Sequence, residues 1–184
     1  MERYKTAIIG GGAAGLCAAI SAGRRDEPVI ILEKTDHLGK KILASGNGRC
    51  NLLNDDFREE YYNPAARELV RSVISRYGKE DILGFFKELG LLVHSHEGRI
   101  FPVSNQAASV LKVLEMELRR LRVSVEYNFD CCDISPMKDG FQILSRNGKR
   151  TECKKVVITG GGKTYPVFGS DGSIYEVVRR LGHT

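Results

Sequence analysis

Residues 4–33 read YKTAIIGGGAAGLCAAISAGRRDEPVIILE, and how they group decides the fold. Residues 4–9, YKTAII, form a short apolar run that predicts a strand. Residues 13–23, AAGLCAAISAG, are alanine-rich and predict a helix. Residues 28–33, PVIILE, predict a second apolar strand. Strand, glycine turn, helix and strand in succession make a βαβ unit built on a parallel sheet.

The turn carries the chemistry. Gly10-Gly11-Gly12-Ala13-Ala14-Gly15 fits G-x-G-x-x-G, flush between strand and helix. Gly10 permits the tight turn, Gly12 lets the backbone approach a pyrophosphate, and Gly15 lets the helix pack close to the strand. The anion would sit at the helix N-terminus, where unpaired N–H groups and the positive dipole end face it. Glu33 closes the second strand about 20 residues past the motif, where a carboxylate accepts hydrogen bonds from a ribose diol. It would also repel a ribose 2′-phosphate. The pattern therefore predicts FAD or NAD rather than NADP, and the motif alone does not separate the first two.

The remaining composition is that of an ordinary globular chain: 184 residues, 42% hydrophobic, 28% charged. The net charge of +5 is scattered. Arg24-Arg25, Arg119-Arg120 and Arg179-Arg180 each fall late in a predicted helix, where cations suit the negative dipole end. That pattern argues against a nucleic-acid surface, and the excess positive charge suits an anionic cofactor or substrate. Five cysteines, two of them adjacent and none in a C-x-x-C pair, predict a reduced, cytoplasmic protein without a cysteine metal site. No apolar run has the length to span a bilayer.

Residues 34–62 read as a polar loop region. Asn63-Pro64 predicts a helix start, running to about Tyr77 with Ala66, Leu69, Val70, Val73, Ile74 and Tyr77 on one face. A second helix is expected over 80–89, then a hairpin over 91–103 with its turn at Glu97-Gly98. Ser104 is expected to cap a helix over 105–121. Residues 123–159 read as a β-meander, with turns at Asp139-Gly140 and Asn147-Gly148. Its last strand enters Gly160-Gly161-Gly162, a second glycine-rich turn, and a last helix is expected over 171–182. A simple NAD domain would continue with alternating strands and helices, so the meander favours FAD.

Four segments carry a more specific likeness: IIGGGAAGLCAA, LGKKILASGNGRCN, GRIFPVSNQAASVL and TGGGKTYPVFGSDGSIYEVVRRLGHT. Together and in this order they resemble a bacterial flavoprotein family, the NAD(P)/FAD-dependent oxidoreductases of the aminoacetone-oxidase or BaiN/RdsA type. The most distinctive segment is SGNGRCN, residues 45–51. The resemblance implies an α/β, Rossmann-like FAD-binding domain of the two-dinucleotide-binding type, a parallel sheet with a β-meander, and non-covalent FAD. It implies that residues 1–184 form the N-terminal portion of such a protein, without the substrate domain and closing segment of the family.

It also implies residue roles. Gly10, Gly12, Ala13, Ala14 and Gly15 would lie at the pyrophosphate and Glu33 at the ribose, with Lys34 and Lys40 near the nucleotide. Gly46, Gly48, Arg49, Cys50 and Asn51 would line the flavin side. Cys131 would stand where such folds make backbone contacts to adenine. Thr159, Gly160, Gly161, Gly162 and Tyr165 would complete the pocket. The family's usual A-T-G-G is Thr-Gly-Gly-Gly here, so the hydroxyl is shifted by one residue. Cys50 has no resolving partner in the pattern and reads as a small packing residue. His94 and His96 share a strand face without further ligands and read as ordinary polar residues. No catalytic side chain stands out, as expected where a cofactor carries the chemistry. The function implied is transfer of a hydride or electron pair between flavin and a small organic substrate, with NAD(P)H a candidate donor. A nucleotide-binding fragment without activity of its own and an NAD-only dehydrogenase are the alternatives.

Overall fold

The computed structural model describes residues 4–183, which fall into two compact units: residues up to 41 with those from 114 onward, and residues 42–113.

The first unit contains the βαβ expected from the sequence. β1 spans Tyr4–Ile9, α1 spans Ala13–Gly23 and β2 spans Val29–Leu32. β1 and β2 pair in parallel, with Ile8 opposite Ile31. α1 buries Gly15, Leu16, Ala19, Ile20 and Gly23, a face with the helical period. α5, Ala107–Arg120, ends in this unit, where its Leu114 and Leu118 are buried. β6 is Ser124–Glu126, β7 Cys131–Met137, β8 Gly140–Ser145 and β9 Arg150–Ile158. α6, Ile174–Arg180, follows the last glycine turn. The six-stranded sheet has the order β6-β2-β1-β9-β8-β7.

The expected meander is only partly present. β7, β8 and β9 pair antiparallel through the two turns read from the sequence. Residues 124–126 do not join them; β6 lies parallel to β2, with Ile31 opposite Val125. Residues 127–130 contain no tight hairpin turn. The N–H groups of Asn128 and Phe129 instead donate to the carbonyls of Thr35 and Glu33, carrying the chain past the end of β2. β9 serves two layers. Its first residues pair with β8, and Cys153 through Ile158 pair in parallel with β1. Phe129, Cys131, Ile134 and Ile143 thereby pack in one core with Ala7, Ile9, Ile30 and Leu32, closed by Ile174 and Val177 of α6. This core holds the carboxyl ends of β1, β2 and β9 in fixed relation, and ligands of open parallel sheets bind at such ends.

The second unit holds the short helix α2, which starts at the unit boundary (Lys40–Ala44), and a turn over 45–48. It also holds β3 (Leu53–Asn54), α3 (Arg67–Ile74), α4 (Lys79–Glu88), β4 (Val93–His96) and β5 (Arg99–Pro102). The strands form an antiparallel sheet in the order β3-β5-β4, with the hairpin turn at Glu97-Gly98. Ile100, Phe101, Ala107 and Val110 are buried. α3 is shorter than the sequence predicts, because Pro64–Ala66 is a separate 3-10 turn capped by the Asn63 side chain. Its apolar stripe exists but is not buried: Leu69 and Tyr77 are 70% and 64% exposed.

Candidate functional site

The N-terminus of α1 is open. Gly12 stands at the cap with φ −76° and ψ −173°, and no side chain accepts from the first-turn N–H groups. No acidic residue lies in that turn. An 11-residue helix therefore ends in unpaired donors and positive partial charge. A Cβ built on Gly12 meets nothing within 4 Å, and Ala13 and Ala14 of the first turn are exposed.

The other glycines of the turn are there for the protein itself. Gly10 has φ +102°, and a Cβ on it would lie 2.7 Å from the Thr159 carbonyl oxygen. A Cβ on Gly15 would lie 1.9 Å from the Gly10 oxygen. Gly11, at a free position of the motif, is crowded by side-chain ends rather than backbone: its Cβ would lie 2.2 Å from Leu38 Cδ2 and 3.0 Å from Glu33 Oε2. The motif gives no sign of this, because Leu38 and Glu33 belong to a later segment.

Glu33 is buried, and its carboxylate accepts from the Gly11 N–H at 2.6 Å through Oε2. Oε1 accepts from the Thr35 N–H at 2.7 Å and lies 2.8 Å from the Thr35 hydroxyl. A carboxylate offers about four acceptor positions. Two are taken by backbone N–H groups, and the Thr35 hydroxyl, which also lies 2.9 Å from the His37 carbonyl oxygen, competes for a third, which leaves one or two for ligand hydroxyls.

The lysines have different partners within the protein. Lys34 donates to Asp171 at 2.7 Å and to Ser173 at 3.2 Å, tying the end of β2 to the start of α6. The Lys34 ammonium holds the Asp171 carboxyl well below the usual carboxylate range. Lys40 pairs with Asp36 at 2.9 Å, one helical turn before it. Lys41, which the sequence reading passed over, donates to the buried Ser170 hydroxyl. Its Nζ lies 3.2 Å from where a Cβ on Gly161 would stand, and among the described residues no carboxylate pairs with it.

The second glycine turn packs rather than dangles. A Cβ on Gly160 would press on Ile174 at 3.1 Å, and one on Gly162 would lie 2.9 Å from the Tyr175 hydroxyl. Gly161 has φ +76°. Tyr165 is half exposed and stacks on Phe168 with centroids 4.9 Å apart. Cys131 opens β7 at a register irregularity and is buried. Burial, with Cys132 beside it, pushes its thiol up to about 12, so it is protonated at neutral pH.

In the second unit, the loop over residues 45–51 is built on left-handed backbone. Gly46, Asn47, Gly48 and Cys50 have φ of 56°, 55°, 80° and 60°. Glycine and asparagine tolerate this region, which explains three of the four. A Cβ on Gly46 would lie 2.6 Å from the Asn51 nitrogen. The loop closes on itself through the Cys50 N–H to the Ser45 carbonyl at 3.0 Å. Cys50 is buried, and burial raises its thiol, in keeping with a packing role. Asn51 is exposed. The Arg49 guanidinium lies over the Phe101 ring, 4.5 Å from its centroid, and among the described residues it has no carboxylate partner. Phe101 is a buried platform on β5 that the sequence reading did not single out. A cation with a fixed plane and free donors suits an anionic group.

The family model described as HI0933-like protein Rossmann domain matches residues 4–184, so the chain belongs to that family. The chain is 44% identical over 179 residues to a 3-dehydro-bile acid delta(4,6)-reductase of Clostridium scindens, covering 96% of this chain and 44% of the reductase. It is 28% identical over 183 residues to the ribosomal RNA dihydrouridine synthase of Escherichia coli K12, covering 99% of this chain and 45% of the synthase. The chain thus spans less than half the length of these relatives. Among solved structures it is similar to 3-ketosteroid-delta4-(5alpha)-dehydrogenase from Rhodococcus jostii RHA1. The TM-score is 0.67 at 15% identity, over 87% of this chain and 46% of the other, a likeness of fold alone. The fold is mixed α/β with a mainly parallel sheet, of the Rossmann type.

Proposed function

We propose that this member of the HI0933-like Rossmann family binds FAD and serves as the cofactor-holding part of an oxidoreductase. The observation that carries the reading is the uncapped N-terminus of α1, with its first-turn residues Ala13 and Ala14 exposed and open space beside Gly12. It supplies donors and positive potential for a pyrophosphate and nothing to repel one. The donor set fits the adenosine half of the cofactor. Gly12 and the first turn of α1 would hold the pyrophosphate. Glu33 would accept from one ribose hydroxyl and disfavour a 2′-phosphate. Lys41 would add positive charge beside Gly161.

Bound flavin would supply two-electron chemistry toward an organic substrate. The chain's own residues would position and screen it. In the second unit, Arg49 would keep a fixed positive charge because Phe101 holds its plane. The thiols of Cys50 and Cys131, raised by burial, would stay protonated and play no nucleophilic part. A small-molecule substrate and NAD(P)H as donor complete the proposal for the whole protein. The relatives named a reductase and a dihydrouridine synthase support a redox role.

The test is binding. Purified chain is mixed with FAD, NAD or NADP, desalted, and read by visible absorption and thermal shift. Retained flavin absorption with a raised Tm is expected for FAD, with the weakest response for NADP. A folded chain that ignores FAD but is stabilised by NAD would replace this reading with the dehydrogenase one.

A further inference from the structure

The Gly10–Gly11 peptide joins two glycines, the residue type with the widest choice of backbone angles. Its two polar ends are nevertheless both occupied. The Gly11 N–H donates to Glu33 Oε2 at 2.6 Å. On the opposite side, the Gly10 carbonyl oxygen lies 2.9 Å from the Thr159 hydroxyl. The same hydroxyl lies 2.9 Å from the Ile9 oxygen. That oxygen already accepts the Thr159 N–H at 2.9 Å. The hydroxyl has one proton to give, and Gly10 is the acceptor that benefits from it. In a trans peptide the C=O and N–H point in opposite directions. Anchoring each to a side chain therefore sets the peptide's rotation, and a flipped peptide loses both bonds.

We infer that Thr159 is a positioning residue of the dinucleotide turn: its hydroxyl and the Glu33 carboxylate together lock the Gly10–Gly11 peptide, and Thr159 acts on the nucleotide only through that lock. The packing agrees. A Cβ on Gly15 would strike the Gly10 oxygen and lie 2.9 Å from the Thr159 hydroxyl, so the missing side chain at Gly15 is what makes room for the pair. The donor comes from 149 residues away in sequence, at the end of β9, one residue beyond the last pairing of β9 with β1. The inference departs from a role for Thr159 as a cofactor contact. On its ligand side it rests on the FAD reading.

The experiment compares wild type with Thr159→Ser, Thr159→Val and Thr159→Ala. Dissociation constants are measured for FAD, ADP and adenosine, and amide hydrogen exchange is followed at Gly11. Loss of one hydrogen bond corresponds to about a tenfold change. Thr159→Val is expected to weaken FAD and ADP about tenfold and adenosine less than twofold, and Thr159→Ser to stay within about threefold of wild type. Gly11 exchange is expected to speed up in Thr159→Val and Thr159→Ala but not in Thr159→Ser. Equal weakening for all three ligands without rescue by serine would mean a merely structural residue and overturn the inference. So would unchanged Gly11 exchange. If wild type binds neither FAD nor ADP, the cofactor reading fails, and the exchange data still decide whether the lock exists.

Discussion

Alanine at Gly12 and alanine at Gly15 separate the ligand's glycine from the fold's glycine. Gly12 has backbone angles open to any residue and no atom within 4 Å of a built Cβ. Gly12→Ala should cost the fold under about 1 kcal/mol, near the range of an exposed substitution. Gly15 is the opposite case. Its Cβ would lie 1.9 Å from the Gly10 oxygen, against the 3.0 Å that real contacts respect, so α1 and the turn must part by about 1.1 Å. Overpacking of this kind costs about 3 kcal/mol. For a chain of this size, about 1 kcal/mol shifts Tm by roughly 2–4 °C. Gly15→Ala should therefore lower the apo Tm by about 6–12 °C, and Gly12→Ala by no more than about 4 °C. The order reverses when ligand is counted per unit of stability. On the FAD reading, the cofactor at 100 times its dissociation constant would add about 2.7 kcal/mol to wild type. A methyl group where the pyrophosphate approaches should weaken FAD at least about tenfold, or about 1.4 kcal/mol. The assay is thermal unfolding with and without FAD, backed by calorimetric titration. A Gly12→Ala chain that binds FAD like wild type refutes the placement of the pyrophosphate. A Gly15→Ala chain with unchanged Tm refutes the close approach of α1 to the turn.

Three further outcomes are expected. Lys41→Met should weaken FAD about three- to tenfold while Lys40→Met stays within about twofold, because Lys40 is engaged with Asp36 and Lys41 has no carboxylate partner among the described residues; equal effects in a titration would contradict this. Arg49→Ala and Phe101→Leu should each lower the Tm, because the cation–π contact between Arg49 and Phe101, worth about 0.5–2 kcal/mol, is lost, while Phe101→Tyr keeps it; an unchanged Tm in thermal unfolding would contradict the contact. Glu117 is held at about 2 by Arg120 first and Arg24 second. A depressed carboxylate stabilises above its ordinary value near 4.3, and the contribution is lost as pH falls toward 2. Its full size would be about 3 kcal/mol, reduced to about 1–2 kcal/mol because the Arg120 side chain is 65% exposed. Glu117→Gln should flatten the fall in Tm between about pH 4.5 and 2, and an unchanged acid slope would count against the pair.

What could be read from the chain alone is what is encoded locally. β1, α1 and β2 follow from apolar runs, alanine content and one glycine turn, all within thirty residues, and the structure places them within a residue of expectation. The hairpin turns at Glu97-Gly98, Asp139-Gly140 and Asn147-Gly148 were legible for the same reason. Loop 45–51 announced its strained backbone through glycine and asparagine, though not the buried Cys50 at φ 60°. Tertiary structure alone decided the rest, because the partners are distant in sequence. β6 reaches β2 across almost a hundred residues, so no local pattern told it from a meander strand. The stripe on α3 has the period of a core helix, yet period records only which residues share a face, and what covers a face depends on the rest of the chain. Gly11 is confined by Leu38 and Glu33, Arg49 is planted on Phe101, and Gly10 is held from Thr159. Sequence motifs name the residues that a ligand would touch; the side chains that aim them are chosen by which strand ends the sheet brings together.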